Sequence, residues 1–336
     1  MPPLTTVIVP NYNHASSLLS CLAAIEKQTY APLEVVVVDD ASTDDSVRIA
    51  ESTGVTVLRN DRNEGPATTR NRGAEWASGE YLFFVDSDGA LAPDAVANAV
   101  ALLEADPGLG AVCGIEDAEP LSSDGRVEHY RALQHYYWCI ASEGDASFLY
   151  SAVCAIRATV FEEVGPFNPA LRWTEEVDYG DRLARRYRMV STSSVVARMD
   201  FDRRLTVLLR KFFHRVRCRV PLYARRKRFA QGYETAPRAY SSLAAALAVA
   251  TLPVALLLGP VWLAVPAVLL AGSLACDALM YRFVLSRRGA LFTLYFAGVH
   301  FLVNLTIVGG AATGALQWLV SRRFRGTYLD TARTGS

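Results

Sequence analysis

Apolar residues follow two alternating spacings along the first hundred residues of the chain. Short runs rich in β-branched residues predict strands at Thr5–Pro10, Leu33–Val38, Val55–Leu58 and Glu80–Val85. Between them, apolar residues at helical spacing predict helices at Ala15–Gln28, Ser46–Ser52 and Pro66–Ala77. Strands that alternate with helices are typical of an α/β domain with a mainly parallel sheet.

The pattern becomes less regular between residues 110 and 200, although it stays mixed α/β. Phe161–Phe167 ends in a Gly-Pro turn, and Trp173–Met189 predicts a helix with a strongly charged face. We expect this α/β domain to occupy residues 1–200, since the chain changes character beyond that point.

Two long apolar stretches dominate the second part of the chain. Ser242–Met280 contains Asp277 as its only charged residue, and Gly289–Ser321 contains no Asp, Glu, Lys or Arg. About 20 apolar residues cross a bilayer as a helix, so membrane spans are favoured over soluble core helices. Gly259-Pro260 divides the first stretch into two helices, and the second stretch is one long tilted helix or a tight pair. We expect two to four spans within residues 239–325, followed by a polar tail at 326–336.

Charge is divided unevenly between the two parts. Residues 1–200 carry 15 Lys and Arg against 30 Asp and Glu, whereas residues 201–336 carry 19 against 4. The acidic part argues against a nucleic-acid partner. Within the segment 201–238, residues 203–220 form a basic amphipathic helix that Pro221 is expected to end. This helix indicates an element lying on an anionic membrane surface, with an ordinary solvated face as the alternative.

Three features of the sequence predict the cellular compartment of the protein. The N-terminal residues lack the pattern of a signal peptide. The six cysteines include no CxxC pair, so we interpret them as reduced and structural. Arg287-Arg288 and Arg322-Arg323 favour the cytoplasmic side of the membrane. We therefore expect a multi-pass protein of the inner (cytoplasmic) membrane with its large domain in the cytoplasm.

Acidic residues follow the predicted strands at the ends where ligands collect in open α/β sheets. Asp86-Ser87-Asp88 follows the fourth strand, and its two carboxylates are suited to share Mg²⁺ or Mn²⁺ with a substrate diphosphate. Asp39-Asp40 follows the second strand and is suited to accept hydrogen bonds from a base or ribose. An acidic turn or a helix cap is the alternative for each cluster.

Two further candidates lie outside the strand ends. Arg70, on the helix that starts at Pro66, is placed to pair with phosphate, or is an ordinary surface arginine. Glu175, Glu176, Asp178 and Asp181 open a helical segment. They support a helix N-terminus through its dipole, or one of them acts as a general base.

Taken together, these motifs resemble family 2 glycosyltransferases over residues 5–190. The resemblance is carried by Val7-Ile8-Val9-Pro10-Asn11-Tyr12-Asn13, Val38-Asp39-Asp40-Ala41-Ser42-Thr43-Asp44, Asn63-Glu64-Gly65, Thr69-Arg70-Asn71-Arg72-Gly73, Gly79-Glu80-Tyr81, Asp86-Ser87-Asp88, Phe161–Phe167 and Glu175-Glu176-Val177-Asp178. It implies a GT-A fold, which is Rossmann-like, and inversion at the anomeric carbon by direct displacement.

The resemblance also implies a role for each motif. Pro10, Tyr12, Asn13, Asp39 and Asp40 would hold the nucleoside of a UDP- or GDP-sugar, and Arg70 and Ser87 would lie by the diphosphate. Asp86 and Asp88 would bind the divalent metal. The family usually places an Asp as the base where this chain has Glu176, so Glu175 is a rival for that role.

The segment before the predicted membrane spans helps to identify the acceptor substrate. The Gln-x-x-Arg-Trp motif of processive synthases is absent from Arg203–Arg228, which favours a single transfer to a lipid-linked acceptor. The first hypothesis is polyprenyl phosphate; a polyprenyl-diphosphate-linked glycan or a glycolipid is the second, in cell-envelope assembly. Arg204, Arg210 and Arg215 are candidates to hold a lipid phosphate.

Two other function classes and the oligomeric state stay open at this point. A non-catalytic GT-A module would recruit partners to a membrane and would not need the acidic residues. Their presence in this chain argues against that class. A nucleotidylyltransferase would need a Gly-rich basic loop after the first strand, where this chain has Pro10-Asn11-Tyr12-Asn13. A homo-oligomer is compatible with the sequence.

Overall fold

A computed structural model of the chain describes residues 1–122, 125–146, 149–226 and 236–326. These residues separate into two units, one of residues 1–201 and one of residues 202–226 and 236–326. The expected polar tail at 326–336 lies outside the described residues, apart from Gly326.

The first unit is built from alternating strands and helices. Its described strands are β1 Thr5–Asn11, β2 Leu33–Asp39, β3 Thr56–Arg59, β4 Tyr81–Val85, β5 Gly89–Leu91, β6 Leu109–Glu116, β7 Gly144–Asp145, β8 Val153–Arg157 and β9 Arg188–Met199. Its described helices are α1 Ala15–Glu26, α2 Ser46–Ser52, α3 Pro66–Trp76, α4 Ala95–Ala105, α5 Arg126–Ile140, α6 Ala158–Val164 and α7 Glu175–Leu183.

All nine strands form one sheet in the order β3-β2-β1-β4-β8-β6-β9-β5, with β7 paired to β9. The strands from β3 to β4 are parallel, as are β6 and β9. β8 runs antiparallel to both of its neighbours, β4 and β6. β4 and β6 therefore point the same way, and the carboxyl ends of β1, β2, β4 and β6 lie along one edge of the sheet.

Both faces of this sheet are buried. Val7, Val9 and Phe83 pack into a core that includes residues of α1 and α4. Their neighbours Ile8 and Phe84 point the other way, into a second core with residues of α3, α6 and α7. Because both faces are covered, the central strands are continuous apolar runs without polar alternation.

The prediction of a single helix over Trp173–Met189 is wrong, because the helix in the structure is shorter. α7 ends at Leu183, and β9 begins at Arg188. The amides of Arg186 and Tyr187 both donate to the Leu183 carbonyl, which closes the helix with a turn. Beyond the turn, Met189 pairs with Ala111 of β6 and is buried in the sheet, so tertiary pairing decides the structure there.

The second unit is helical. It contains α8 Leu205–Arg226, α9 Ala236–Leu258, a 3-10 turn at Pro260–Leu263, α10 Ala264–Cys276, α11 Ala278–Val320 and α12 Arg322–Gly326. Pro237–Leu258 and Ala278–Val320 are long and apolar enough to cross a membrane.

Pro221 does not end the basic amphipathic helix, contrary to expectation. α8 continues through Pro221 to Arg226. A proline removes the amide that would bond to the carbonyl four residues earlier, which here belongs to Arg217. That carbonyl lies against Gly314 of α11, where an added Cβ would come within 2.6 Å of the oxygen. Close packing of a small residue against the freed carbonyl lets the helix continue.

α11 reverses its direction at Gly289, the first residue of the second apolar stretch. Gly289 has a φ of 76°, in the left-handed region that interrupts a helix. The rings of Tyr281 and His300 lie 6.1 Å apart. In a straight helix, residues 19 positions apart would be separated by about 28 Å. α11 is therefore two helical segments packed against each other, and the second apolar stretch beyond Gly289 is one continuous helix to Val320 rather than a tight pair.

A hydrogen-bonded polar cluster joins the helices of this unit. Asp277, the charged residue between α10 and α11, accepts from Ser241 of α9 at 2.6 Å and lies 3.2 Å from His300 Nε2. Asn304 accepts from Ser242 at 2.9 Å. All of these side chains are buried, so the polar groups are satisfied by one another across the helices.

Gly73→Ala tests the close packing that sets the position of α3. A Cβ at Gly73 would lie 2.4 Å from Cγ2 of Ile8 on β1, so α3 must shift away from the sheet. We expect a loss of about 1–3 kcal/mol of unfolding free energy, measured by thermal melting. Glu75→Ala, an exposed change on the same helix, is the control. Equal melting temperatures for the two variants would show that this packing is not tight.

Candidate active site

The turns that follow β1 and β2 are joined by side-chain hydrogen bonds. Asn11 Nδ2 donates to Asp39 at 2.8 Å, and the Asp39 carboxylate also accepts from the Ser42 amide at 2.9 Å. The Asn13 amide donates to Ser42 Oγ at 2.9 Å. Asn13 has a φ of 57°, which an asparagine tolerates in a turn. Both turns are therefore held in fixed positions at the carboxyl edge of the sheet.

Asp40 organises a neighbouring loop. Its buried carboxylate accepts from Asn60 Nδ2 at 2.8 Å, from the Glu64 amide at 2.9 Å and from the Gly65 amide at 2.8 Å. Gly65 has a φ of 94° and immediately precedes Pro66, where α3 begins. Asp40 thus positions the start of the helix that carries Arg70.

The surface beside these turns is partly open. Tyr12 and Asn13 are exposed, and Pro10 is partly buried. An exposed aromatic ring next to buried acceptor groups is suited to bind a flat, polar ring such as a nucleobase.

Asp86-Ser87-Asp88 directly follows the buried strand β4. The Asp86 amide donates to the Ala152 carbonyl at 3.0 Å, and the Asp200 amide donates to the Asp88 carbonyl at 2.8 Å. Ser87 is buried, whereas Asp86 and Asp88 are partly exposed. The backbone of the triplet is fixed while its two carboxylates keep access to solvent.

Arg70 joins this triplet to α7. One terminal nitrogen of its guanidinium donates to Asp86 at 2.7 Å, and the other donates to Glu175 at 2.9 Å. Arg70 and Glu175 are both buried. Burial by itself would lower the pKa of Arg70, but the charges of Asp86 and Glu175 raise it above its ordinary value. Arg70, which was expected to lie beside the diphosphate, therefore donates hydrogen bonds to carboxylates from two parts of the site.

Glu175 and Glu176 differ in their surroundings although they are adjacent. Burial raises the pKa of Glu175 to about 8, and the charge of Glu176 adds to this rise, while Arg70 opposes it. Glu176 is partly exposed. Glu175 is thus held in place beneath the site, and Glu176 is the carboxylate that an incoming molecule can reach.

The other acidic residues of α7 support the helix. Asp178 lies 3.1 Å from Arg182, and Asp181 lies 2.9 Å from Arg185, each pair one helical turn apart. These two residues fit the structural interpretation of the acidic cluster.

Sequence reasoning missed two features near the site. Asn71 holds the Phe167 backbone through its amide and carbonyl, at 2.8 Å each. At the carboxyl end of β6, Glu116 lies 2.6 Å from His135 Nδ1, and both side chains are buried. Asn71 is the neighbour of Arg70 in the motif Thr69-Arg70-Asn71-Arg72-Gly73, but the motif does not indicate its partner Phe167. No local pattern links residues 116 and 135.

Arg204, Arg210 and Arg215 belong to the second unit. Arg204 precedes α8, and the other two lie on it; all three are exposed. Arg210 and Arg215 thus belong to the basic helix expected from the sequence, and Arg204 lies just before it.

The arrangement fits a divalent cation shared with a substrate. In the part of the chain that the structure describes, no group of three or more His, Cys, Asp or Glu side chains is placed to hold a metal ion. Asp86 and Asp88 supply two carboxylates, and Mg²⁺ in such sites takes its remaining ligands from substrate phosphates and water. The donor set therefore suits a metal that arrives with a diphosphate.

Glu175→Gln should remove one source of pH-dependent stability. Because the pKa of Glu175 rises from 4.5 to about 8 on folding, ionisation favours the unfolded chain. The wild type should lose stability as the pH rises through this window, by at most about 1.4 kcal/mol per pH unit. Melting temperatures between pH 5 and pH 8 should therefore shift in favour of Glu175→Gln.

Glu162→Gln, an exposed change on α6, controls for the general effect of pH. A constant difference in melting temperature between Glu175→Gln and the wild type would contradict the raised pKa of Glu175.

Comparison with known proteins supports this fold. The mannosyltransferase PcManGT from Pyrobaculum calidifontis, solved in complex with GDP-Man and Mn²⁺, superposes over 100% of this chain and 87% of its own. The TM-score is 0.53 and the sequence identity is 24%. This likeness confirms the expected α/β fold of GT-A type followed by apolar helices.

Relatives in sequence match part of the chain. An uncharacterized glycosyltransferase of Haemophilus influenzae is 33% identical over 182 residues, which make up 52% of this chain and 60% of that protein. Glycosyltransferase GlyG of Streptococcus pneumoniae is 41% identical over 93 residues, 26% of this chain and 31% of that protein. The chain thus spans 60% or less of the length of these relatives. Residues 6–165 match the model of Glycosyl transferase family 2. The first unit of the chain thus carries a match to glycosyltransferase family 2, over 160 of the chain's 336 residues.

Proposed function

We propose that the protein transfers one sugar from a nucleotide-sugar to a lipid-linked acceptor, with inversion at the anomeric carbon. The observation that carries this proposal is the Arg70 bridge between Asp86 and Glu175. It brings a metal-binding motif and a candidate base together at the edge of the sheet where the β1 and β2 turns also end.

The donor would lie along this edge. Pro10, Tyr12, Asn13, Asp39 and Asp40 would bind the nucleoside, with the Tyr12 ring against the base. Asp39 and Asp40 hold their turns through internal hydrogen bonds and would use their remaining acceptor capacity. Ser87 would lie under the diphosphate. PcManGT was solved with GDP-Man, which supports a UDP- or GDP-sugar as the donor.

Asp86 and Asp88 would hold Mg²⁺ or Mn²⁺ on the donor diphosphate. The metal, when bound, stabilises negative charge on the departing diphosphate. The Mn²⁺ in the PcManGT structure supports this assignment. Arg70 would contribute by fixing Asp86 rather than by contacting the phosphates.

Glu176 would be the general base, with Glu175 as its rival. The acceptor oxygen would bond to the anomeric carbon from the face opposite the diphosphate, as the bond from that carbon to the diphosphate breaks. The acceptor proton would pass to the Glu176 carboxylate. Its partial exposure favours Glu176, while Glu175 is occupied by Arg70.

The second unit would bring the acceptor. The helices Pro237–Leu258 and Ala278–Val320 support a membrane location, and α8 offers a basic face suited to an anionic leaflet. Arg204, Arg210 and Arg215 would hold the phosphate of polyprenyl phosphate or of a polyprenyl-diphosphate-linked glycan. The catalytic domain would then face the cytoplasm.

Asp88→Ala should abolish metal-dependent sugar transfer, because the diphosphate loses half of its protein-bound metal site. Nucleotide release from UDP- and GDP-sugars, measured on the full chain with Mg²⁺ or Mn²⁺ and a lipid acceptor, should fall to background. Asp94→Ala, an exposed change six residues away, should keep the wild-type rate. Unchanged turnover by Asp88→Ala would rule out the metal assignment.

Glu176→Gln should retain donor binding and lose transfer by about 10²–10⁴-fold, the usual contribution of a positioned base. Calorimetric binding of the nucleoside diphosphate separates the two effects. If Glu175→Gln is instead the variant that loses transfer at pH 7 while Glu176→Gln is active, the base is the buried residue.

A further inference from the structure

Trp173 is an exposed aromatic residue beside the candidate base. It is 39% exposed, whereas Trp138 in the same unit is 6% exposed. Tryptophan offers a large, flat amphipathic surface, so an exposed indole is suited to stack against a bound ring. Trp173 lies one residue before Thr174, the N-cap position of α7.

The loop that carries Trp173 is held in place on both sides. Arg172 donates to the side-chain and backbone oxygens of Asn63, at 3.2 and 3.1 Å. The flanking residues Leu171 and Thr174 are buried. The exposure of Trp173 is therefore a fixed feature of the loop surface and does not come from a loose segment.

The position of Trp173 suits a ring bound next to Glu176. Glu176 is the third residue after Trp173, so their Cα atoms lie within about 11 Å of each other. A pyranose ring stacked on the indole would bring its hydroxyl groups within reach of the Glu176 carboxylate. The C–H groups on the face of a sugar are slightly positive and are attracted to the negative face of an aromatic ring.

The base that Glu176 would supply favours a neutral acceptor group. Glu176 is a partly exposed carboxylate in the first turn of α7. A lipid phosphate is anionic and already deprotonated at neutral pH, so it would need no base. A sugar hydroxyl is neutral and needs a base to lose its proton.

We propose that Trp173 is the binding platform for an acceptor sugar, so that the group receiving the new sugar is a hydroxyl of a glycan or glycolipid. This inference rests on the proposed transfer reaction and selects among its acceptors. It assigns Trp173 to acceptor binding, and it leaves the donor site unchanged.

Alkyl glycosides of glucose, galactose and N-acetylglucosamine are suitable probes, with polyprenyl phosphate as the competing acceptor. In full-length protein, Trp173→Ala should raise the KM for the accepted glycoside by about tenfold or more, without weakening nucleoside diphosphate binding. Trp173→Phe should retain most of the activity. Trp76→Ala is the matched control, because Trp76 is 36% exposed on α3.

A binding measurement keeps this inference separate from catalysis. The glycoside should quench tryptophan fluorescence in the wild type and in Trp76→Phe, and the quenching should disappear in Trp173→Phe. If no nucleotide-sugar releases its nucleotide but this quenching pattern is found, the proposed transfer reaction is wrong. The assignment of Trp173 to sugar binding is then still supported. If polyprenyl phosphate is the accepted substrate and Trp173→Ala transfers to it at the wild-type rate, the platform is wrong.

Discussion

A buried arginine shared by carboxylates from distant parts of the chain is the constraint on which the site depends. Arg70 reaches Asp86 after β4 and Glu175 on α7, 105 residues further along the chain. Burying one partner of such a set alone would leave an uncompensated charge, which costs several kcal/mol. The three residues therefore depend on one another, and the Asp86-Ser87-Asp88 triplet and the start of α7 are brought to the same place.

The packing around Arg70 serves this constraint. Gly73 lets α3 lie close against β1, and Asp40 fixes the loop from which α3 begins. Phe167, whose backbone is held by Asn71, places its ring 5.9 Å from the Arg70 guanidinium. The turns after β1 and β2, the Asp86-Ser87-Asp88 triplet and the start of α7 are thus coupled through one helix.

Much of the first unit could be predicted from the sequence, because its signals are local. Buried strands followed by acidic turns predict that Asp39 and Asp86 lie at one edge of the sheet. The pairing of Arg70 with Glu175 could not be predicted, since nothing in either segment specifies its distant partner. The end of α7 was missed for a similar reason: β9 forms because β6 is available to pair with it. In the second unit, the helix through Pro221 and the reversal at Gly289 depend on contacts with α11 and within it.

The rate of sugar transfer by Arg70→Lys, compared with its affinity for the nucleoside diphosphate, tests the central claim most directly. Lysine keeps the positive charge but cannot grip two carboxylates in the forked geometry of a guanidinium. If Arg70 aligns the metal motif with the base helix, kcat should fall by about tenfold or more while nucleotide affinity stays at the wild-type value. A wild-type kcat for Arg70→Lys would contradict this account of the site.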